Sequence, residues 1–206
     1  MHDLATDRLM AIVRGRSEDP DALLRVVTTL AEEGVRIVEV SLTTPGALAG
    51  IATLRAELGS TVRLGAGTIT NLADAKRARD AGAEFLLTPG LPEDLQEITS
   101  LDVETIIGAL SPTEVGRAVR AGASAVKVFP VSVGGPEYLE ALHGPYPNVP
   151  LVAVGGIGLD DAAGLLSSGA IALGVGSPLV GNTVDSGDTD GLRARARAFR
   201  EAVDNG

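Results

Sequence analysis

The sequence predicts a (β/α)8 TIM barrel, a closed ring of eight parallel strands each followed by a helix. Three observations predict it. Short β-branched runs alternate with longer Ala/Leu/Arg/Glu segments along the whole chain, and eight runs of the first kind can be marked out. Such regular alternation is the signature of a parallel sheet, and eight units favour closure over an open doubly wound sheet. Four helix ends carry glycine at one fixed place, in Glu33-Gly34-Val35, Ala81-Gly82-Ala83, Ala121-Gly122-Ala123 and Ser168-Gly169-Ala170. Glycine there takes the left-handed backbone that ends a helix and that other residues resist. Finally, aromatic residues make up only 2% of the chain, so its core is aliphatic, as suits tightly packed parallel strands.

The strands are read at 9–13, 37–41, 63–68, 85–88, 104–108, 125–129, 151–154 and 172–176. Helical periodicity fills 22–33, 47–58, 72–81, 114–121, 160–168 and 192–203. Stretches 79–89 and 120–130 repeat one pattern of helix end, Ala-Gly-Ala, strand and proline. Thr44-Pro45, Ser111-Pro112 and Glu18-Asp19-Pro20 place a cap-type residue or an acid near a first-turn proline, which is how helices start. No linker or change of composition interrupts the series, so residues 1–206 are read as one domain.

Composition narrows the function classes. A hydrophobic share of 45% with 21% charged residues describes a globular protein rather than a disordered one. The net charge of −10 repels phosphate backbones and anionic lipid, which argues against nucleic-acid or membrane partners. The chain has no cysteine, so disulfides, thiolate nucleophiles and thiolate metal sites are excluded. The N-terminal stretch is acidic and polar before a short apolar run, unlike a signal peptide, and no run is long and charge-free enough to span a bilayer. A cytoplasmic protein is the expectation. His2 and His143 have no companion at ligand spacing, so no metal site is predicted.

Lys127 stands out in Ala125-Val126-Lys127-Val128-Phe129-Pro130, an otherwise apolar strand. Strand side chains alternate, so Val126 and Val128 face the helices and Lys127 faces the barrel interior. Dehydration there disfavours the ammonium form, and only a neutral amine attacks a carbonyl. A strand-end lysine also snorkels to water or pairs with a carboxylate, so position alone leaves both readings open. Glu39 shifts the balance. It occupies the same interior parity in Ile37-Val38-Glu39-Val40-Ser41. A buried ion pair is seldom better for stability than apolar replacements, so an interior Lys/Glu pair leans toward proton chemistry.

Small residues gather at other strand ends. Gly65-Ala66-Gly67-Thr68 allows a ligand close to the backbone and adds a hydroxyl, and Thr88-Pro89-Gly90 closes the next strand similarly. Gly155-Gly156 follows the seventh strand and Gly176-Ser177 the eighth, the places where this fold commonly builds a phosphate cup. Bare amides there bind a dianion without lysine, which lets an acidic protein hold phosphate. Arg14 ends the first strand; it is placed to fork onto a carboxylate or phosphate, to hold Glu39 ionised, or simply to be exposed.

Together these residues resemble the KDPG aldolase family, the 2-keto-3-deoxy-6-phosphogluconate aldolases together with the phosphogalactonate (KDPGal) branch. Val38-Glu39-Val40, Gly65-Ala66-Gly67-Thr68, Thr88-Pro89-Gly90, Val126-Lys127-Val128-Phe129-Pro130, Gly155-Gly156 and Gly176-Ser177 carry the likeness over nearly the whole chain. The resemblance implies a lysine-dependent aldolase of carbohydrate metabolism, commonly a homotrimer, that needs no cofactor. It implies Lys127 as the Schiff-base residue and Glu39 as the general acid/base. Thr68 and Pro89 would lie near the pyruvate carboxylate, and Gly155, Gly156 and Ser177 at the phosphate. Arg14 would touch the polar end of the phosphorylated keto sugar acid. Two stretches depart from the gluconate pattern. Leu42-Thr43-Thr44-Pro45 lacks the arginine of a Leu-Arg-Thr run and looks more like the galactonate branch, as does Gly134-Gly135-Pro136-Glu137-Tyr138. Ile107-Gly108-Ala109-Leu110-Ser111 stands where the family usually has Pro-Gly and a threonine. The rival readings are a phosphate-binding epimerase, with Lys127 acting only as a charge, and a non-catalytic binder of a sugar phosphate.

Overall fold

The computed structural model describes residues 3–206; His2 lies outside them. Eight parallel strands close into a barrel in the order β1 to β8. They are β1 (Leu9–Val13), β2 (Ile37–Ser41), β3 (Arg63–Gly67), β4 (Phe85–Leu87), β5 (Glu104–Ala109), β6 (Ala125–Val128), β7 (Leu151–Val154) and β8 (Ala170–Val175). A short α1 (Leu4–Asp7) precedes the barrel, and α2 (Ala22–Glu32), α3 (Ala47–Leu58), α4 (Leu72–Asp80), α5 (Leu95–Thr99) and α6 (Pro112–Arg120) follow the first five strands. After β6 comes α7 (Gly135–His143), after β7 α8 (Ala162–Ser167), and after β8 the run α9 (Ser177–Val180), α10 (Thr183–Ser186) and α11 (Thr189–Asp204). The predicted fold class is the observed one.

Strand alternation divides the core in two. Val38, Val40, Val126 and Val128 join a large cluster between barrel and helices, with Leu30, Leu54 and Phe199. Met10, Ile37, Phe85, Ile106, Val152 and Ala172 form a separate cluster inside the ring. Fully burying each Val, Leu, Ile, Phe or Met side chain of these clusters contributes about 1.5–3 kcal/mol, so both layers hold the strands in register. The lower end of the ring is closed. Leu4 of α1 packs into the inner cluster, and the Arg63 guanidinium lies 5.2 Å from the Phe85 ring centroid while pairing with Glu104.

Boundaries differ where backbone conformation decides. The third strand stops at Gly67 because Thr68 has φ +61°, which breaks the ladder. The eighth starts at Ala170 because Gly169, at φ +97°, turns straight from the helix end into the strand. Gly34, Gly82, Gly122 and Gly169 all have positive φ, as the repeat predicts. Helix α6 begins at Pro112, two residues before the predicted start, since Ser111 and Glu114 form a reciprocal capping box. Thr44-Pro45 does not cap a helix: α3 is preceded by Gly46, and the Thr44 hydroxyl instead accepts from the Gly15 amide at 3.3 Å. Asp19 likewise lies outside the cap position, accepting from the Asp21 amide and pairing with Arg25.

Candidate active site

All of the singled-out residues converge at the C-terminal end of the barrel. One cavity of about 430 Å³ is lined by Arg14, Glu39, Thr68, Pro89 and Lys127. Gly155, Gly156 and Ser177 line its other side. Lys127 pairs in register with Gly108 and Val152, Glu39 with Ile12 and Gly65, so both hang from the middle of their strands. Lys127 is 7% exposed and Glu39 1%. Arg14 is exposed at the rim, and its loop is held from the far side by Asp185, whose carboxylate accepts from the amides of Arg16 and Ser17 at 2.6 and 2.7 Å.

Glycines make room for this layer. A Cβ at Gly67 would stand 1.5 Å from Glu39 Oε1, so the carboxyl lies directly on that backbone. A Cβ at Gly108 would run into the Pro89 main chain at 2.4 Å. Gly155 and Gly156 have φ of +97° and +74°, a backbone open to glycine and strained for other residues.

Burial pushes the Glu39 carboxyl above the usual carboxylate range, against the opposing pull of Lys127 and, less, Arg14. Burial likewise lowers Lys127 from the usual lysine range; Glu39 opposes that shift and Arg14 adds to it. The pair is thus biased toward its neutral forms, and its protons belong to both groups together. Glu39 Oε2 is buried without a hydrogen-bond partner among the described residues. Buried polar atoms are rarely left so, and an open lone pair facing a cavity suits a water or a substrate hydroxyl. Lys127 Nζ also sits 4.8 Å from the Phe129 ring centroid. That contact was not foreseen, though residues two apart on a strand share a face.

The sequence reading also overlooked the polar groups beside Thr68. Ser41 Oγ lies 2.8 Å from Thr68 Oγ1 and 2.9 Å from Thr43 Oγ1. Ser41 shares the parity of Glu39, which is the signal that was available. Among the described residues, no group of three or more His, Cys, Asp or Glu is placed to hold a metal ion, and no helix is long and apolar enough to cross a membrane.

Residues 2–194 match the family model for KDPG and KHG aldolase. A probable 2-dehydro-3-deoxy-6-phosphogalactonate aldolase of Rhizobium meliloti (strain 1021) is 32% identical over 198 residues, 95% of this chain and 91% of the relative. A 2-dehydro-3-deoxy-phosphogluconate aldolase of Treponema pallidum (strain Nichols) is 36% identical over 191 residues, 91% of this chain and 89% of the relative. Among solved structures, one described as native KDPGal superposes with a TM-score of 0.88 at 28% identity, covering 96% of this chain and 94% of that one.

Proposed function

The chain belongs to the KDPG and KHG aldolase family and is a carbon–carbon lyase, and on that premise we propose that it cleaves a 2-keto-3-deoxy-6-phospho sugar acid to pyruvate and glyceraldehyde 3-phosphate through a Schiff base on Lys127. The observation that carries this reading is the pair itself: an interior amine and a buried carboxyl with a free oxygen, facing one cavity.

The chemistry follows from the geometry. Neutral Lys127 adds to the C2 ketone, and Glu39 protonates the hydroxyl that leaves as water. In the resulting iminium the nitrogen accepts the electron pair of the C3–C4 bond. As that bond breaks, the Glu39 carboxylate left by the dehydration takes the proton of the C4 hydroxyl and the aldehyde forms. The enamine takes a proton at C3 from Glu39, and water then hydrolyses the iminium to free pyruvate and the amine. Thr68 and Pro89 hold the carboxylate end, and the amides around Gly155, Gly156 and Ser177 receive the phosphate. Arg14 at the rim places a positive charge at the cavity mouth, against the net charge of −10. A homotrimer belongs to the same proposal, and light scattering of the purified protein tests it.

The Leu42-Thr43-Thr44-Pro45 run leads us to assign the galactonate epimer as the better substrate. Pyruvate release from the two C4 epimers, coupled to lactate dehydrogenase, is expected to favour it by about tenfold in kcat/KM, ~1.4 kcal/mol. Equal rates, or preference for the gluconate epimer, would overturn the assignment. Absence of pyruvate from both would overturn the aldolase reading.

The electrostatics of the pair predict a direction. The Glu39 carboxylate raises the lysine, so removing its charge lets Lys127 fall further. In Glu39→Gln, reductive trapping of pyruvate on Lys127 is therefore expected to persist to lower pH than in the wild type. A mass-detected trapping profile that moves to higher pH would contradict the coupling.

A further inference from the structure

We propose that Ser41 and Thr43 are positioning residues, forming with Thr68 a chain of three hydroxyls that presents the Thr68 proton to the carboxylate of a 2-keto acid. This rests on the aldolase reading and adds to it residues that do not themselves line the cavity.

Two independent observations support it. The first is backbone strain. Thr68 is β-branched yet has φ +61°, a conformation such residues avoid and keep only where surrounding contacts impose it. The next residue is anchored by the Ile69 amide donating to the Leu87 carbonyl at 3.0 Å, so the turn is fixed on that side. On the cavity side its hydroxyl is tied to Ser41.

The second is the proton count along the chain. Ser41 Oγ bridges Thr43 Oγ1 at 2.9 Å and Thr68 Oγ1 at 2.8 Å. Each hydroxyl has one proton and two lone pairs, so three arrangements exist: the two head-to-tail directions, and one with both threonines donating to Ser41, which also leaves Thr68 no proton for the cavity. If Thr68 donates to Ser41, and Ser41 to Thr43, Thr68 offers the cavity lone pairs alone and repels an anion. If Thr43 donates to Ser41, and Ser41 to Thr68, the Thr68 proton is left over for the cavity. A carboxylate is purely an acceptor, so its arrival selects the second direction, and each bond in such a chain strengthens the next. Ser41 is fully buried on β2 two residues beyond Glu39, so the strand that holds the acid/base also holds this relay. Thr43 is exposed at the outer end of the chain and can be altered without opening the core.

The test is the pyruvate concentration that gives half-maximal cyanoborohydride trapping on Lys127, read by mass, with acetone as a ketone that has no carboxylate. Thr43→Val keeps the shape and removes the hydroxyl; it is expected to raise the half-trapping concentration of pyruvate by about five- to tenfold, as loss of support for a hydrogen bond to a charged group should. Acetone trapping is expected to stay unchanged. Thr43→Ser, which keeps the hydroxyl, is expected to behave as wild type, and Ser41→Ala to show the larger loss. An unchanged pyruvate value in Thr43→Val overturns the proposal. So does an equal loss in Thr43→Ser, or a parallel loss for acetone, since either would mean shape or folding rather than a proton. If the wild type traps no pyruvate at all, the Schiff-base reading fails and takes this inference with it; wild-type trapping with an indifferent Thr43→Val sinks the relay alone.

Discussion

Lys127→Ala is expected to lower aldol cleavage by about four orders of magnitude or more and to abolish the pyruvate adduct, because among the described residues that line the cavity no other supplies a nucleophilic amine. Residual turnover near wild type would mean that the lysine acts only as a charge, as in an epimerase. Lys127→Met separates chemistry from folding. It replaces a buried cation by an apolar chain of similar length, and it leaves Glu39 without the neighbour that most lowers its pKa. A carboxyl whose folded pKa lies above its unfolded value favours folding fully below the unfolded value, and that contribution is lost as pH rises through the folded one. The urea midpoint of Lys127→Met, relative to wild type, should therefore be highest in mild acid and decline as pH rises. Adding Glu39→Gln should flatten that decline. A relative midpoint that climbs with pH would contradict the raised carboxyl.

Gly67→Ala is expected to be nearly as damaging to turnover, by about 10²- to 10⁴-fold, although glycine carries no chemistry of its own. The added methyl carbon would lie 1.5 Å from Glu39 Oε1 and 2.0 Å from Cδ, so the carboxyl must swing off its seat. Overpacking of this kind costs about 1–3 kcal/mol in stability as well. Gly65→Ala provides the contrast. Its methyl would strike the Phe85 ring at 2.1 Å, below the catalytic layer, so stability should fall with less change in kcat of the folded enzyme. A Gly67→Ala enzyme within threefold of wild-type kcat would show that the position of Glu39 matters little.

Much of this was legible in the chain itself, because parity in a strand is a purely local rule. Glu39 and Lys127 each sit between two valines, and that alone sends both to the inside of a closed ring. The glycine helix ends were readable for the same reason. What escaped depends on contacts between distant segments. The left-handed turn at Thr68 cannot be inferred from a threonine after a glycine. The link from Ser41 to Thr68 spans two strands and needs their register. Short α1 was invisible as a helix, since four residues carry no periodicity, and its meaning lies in where Leu4 packs. Thr44 reads as a cap from composition, yet the tertiary partner, Gly15, takes its hydroxyl.

The sealed lower end has a consequence for traffic. Among the described residues, Leu4, Phe85 and the Arg63–Glu104 pair fill the ring beneath the cavity, which makes it a well that opens at the C-terminal ends of the strands. Lys127 lies part-way down a strand, whereas Gly155 and Ser177 stand beyond the strand ends, nearer the opening. Were the proposed Schiff base to form on Lys127, the pyruvate half would stay bonded at depth while the aldehyde half, freed when C3–C4 breaks, would lie nearer the mouth, so the shape of the well would agree with the release order that covalent attachment imposes.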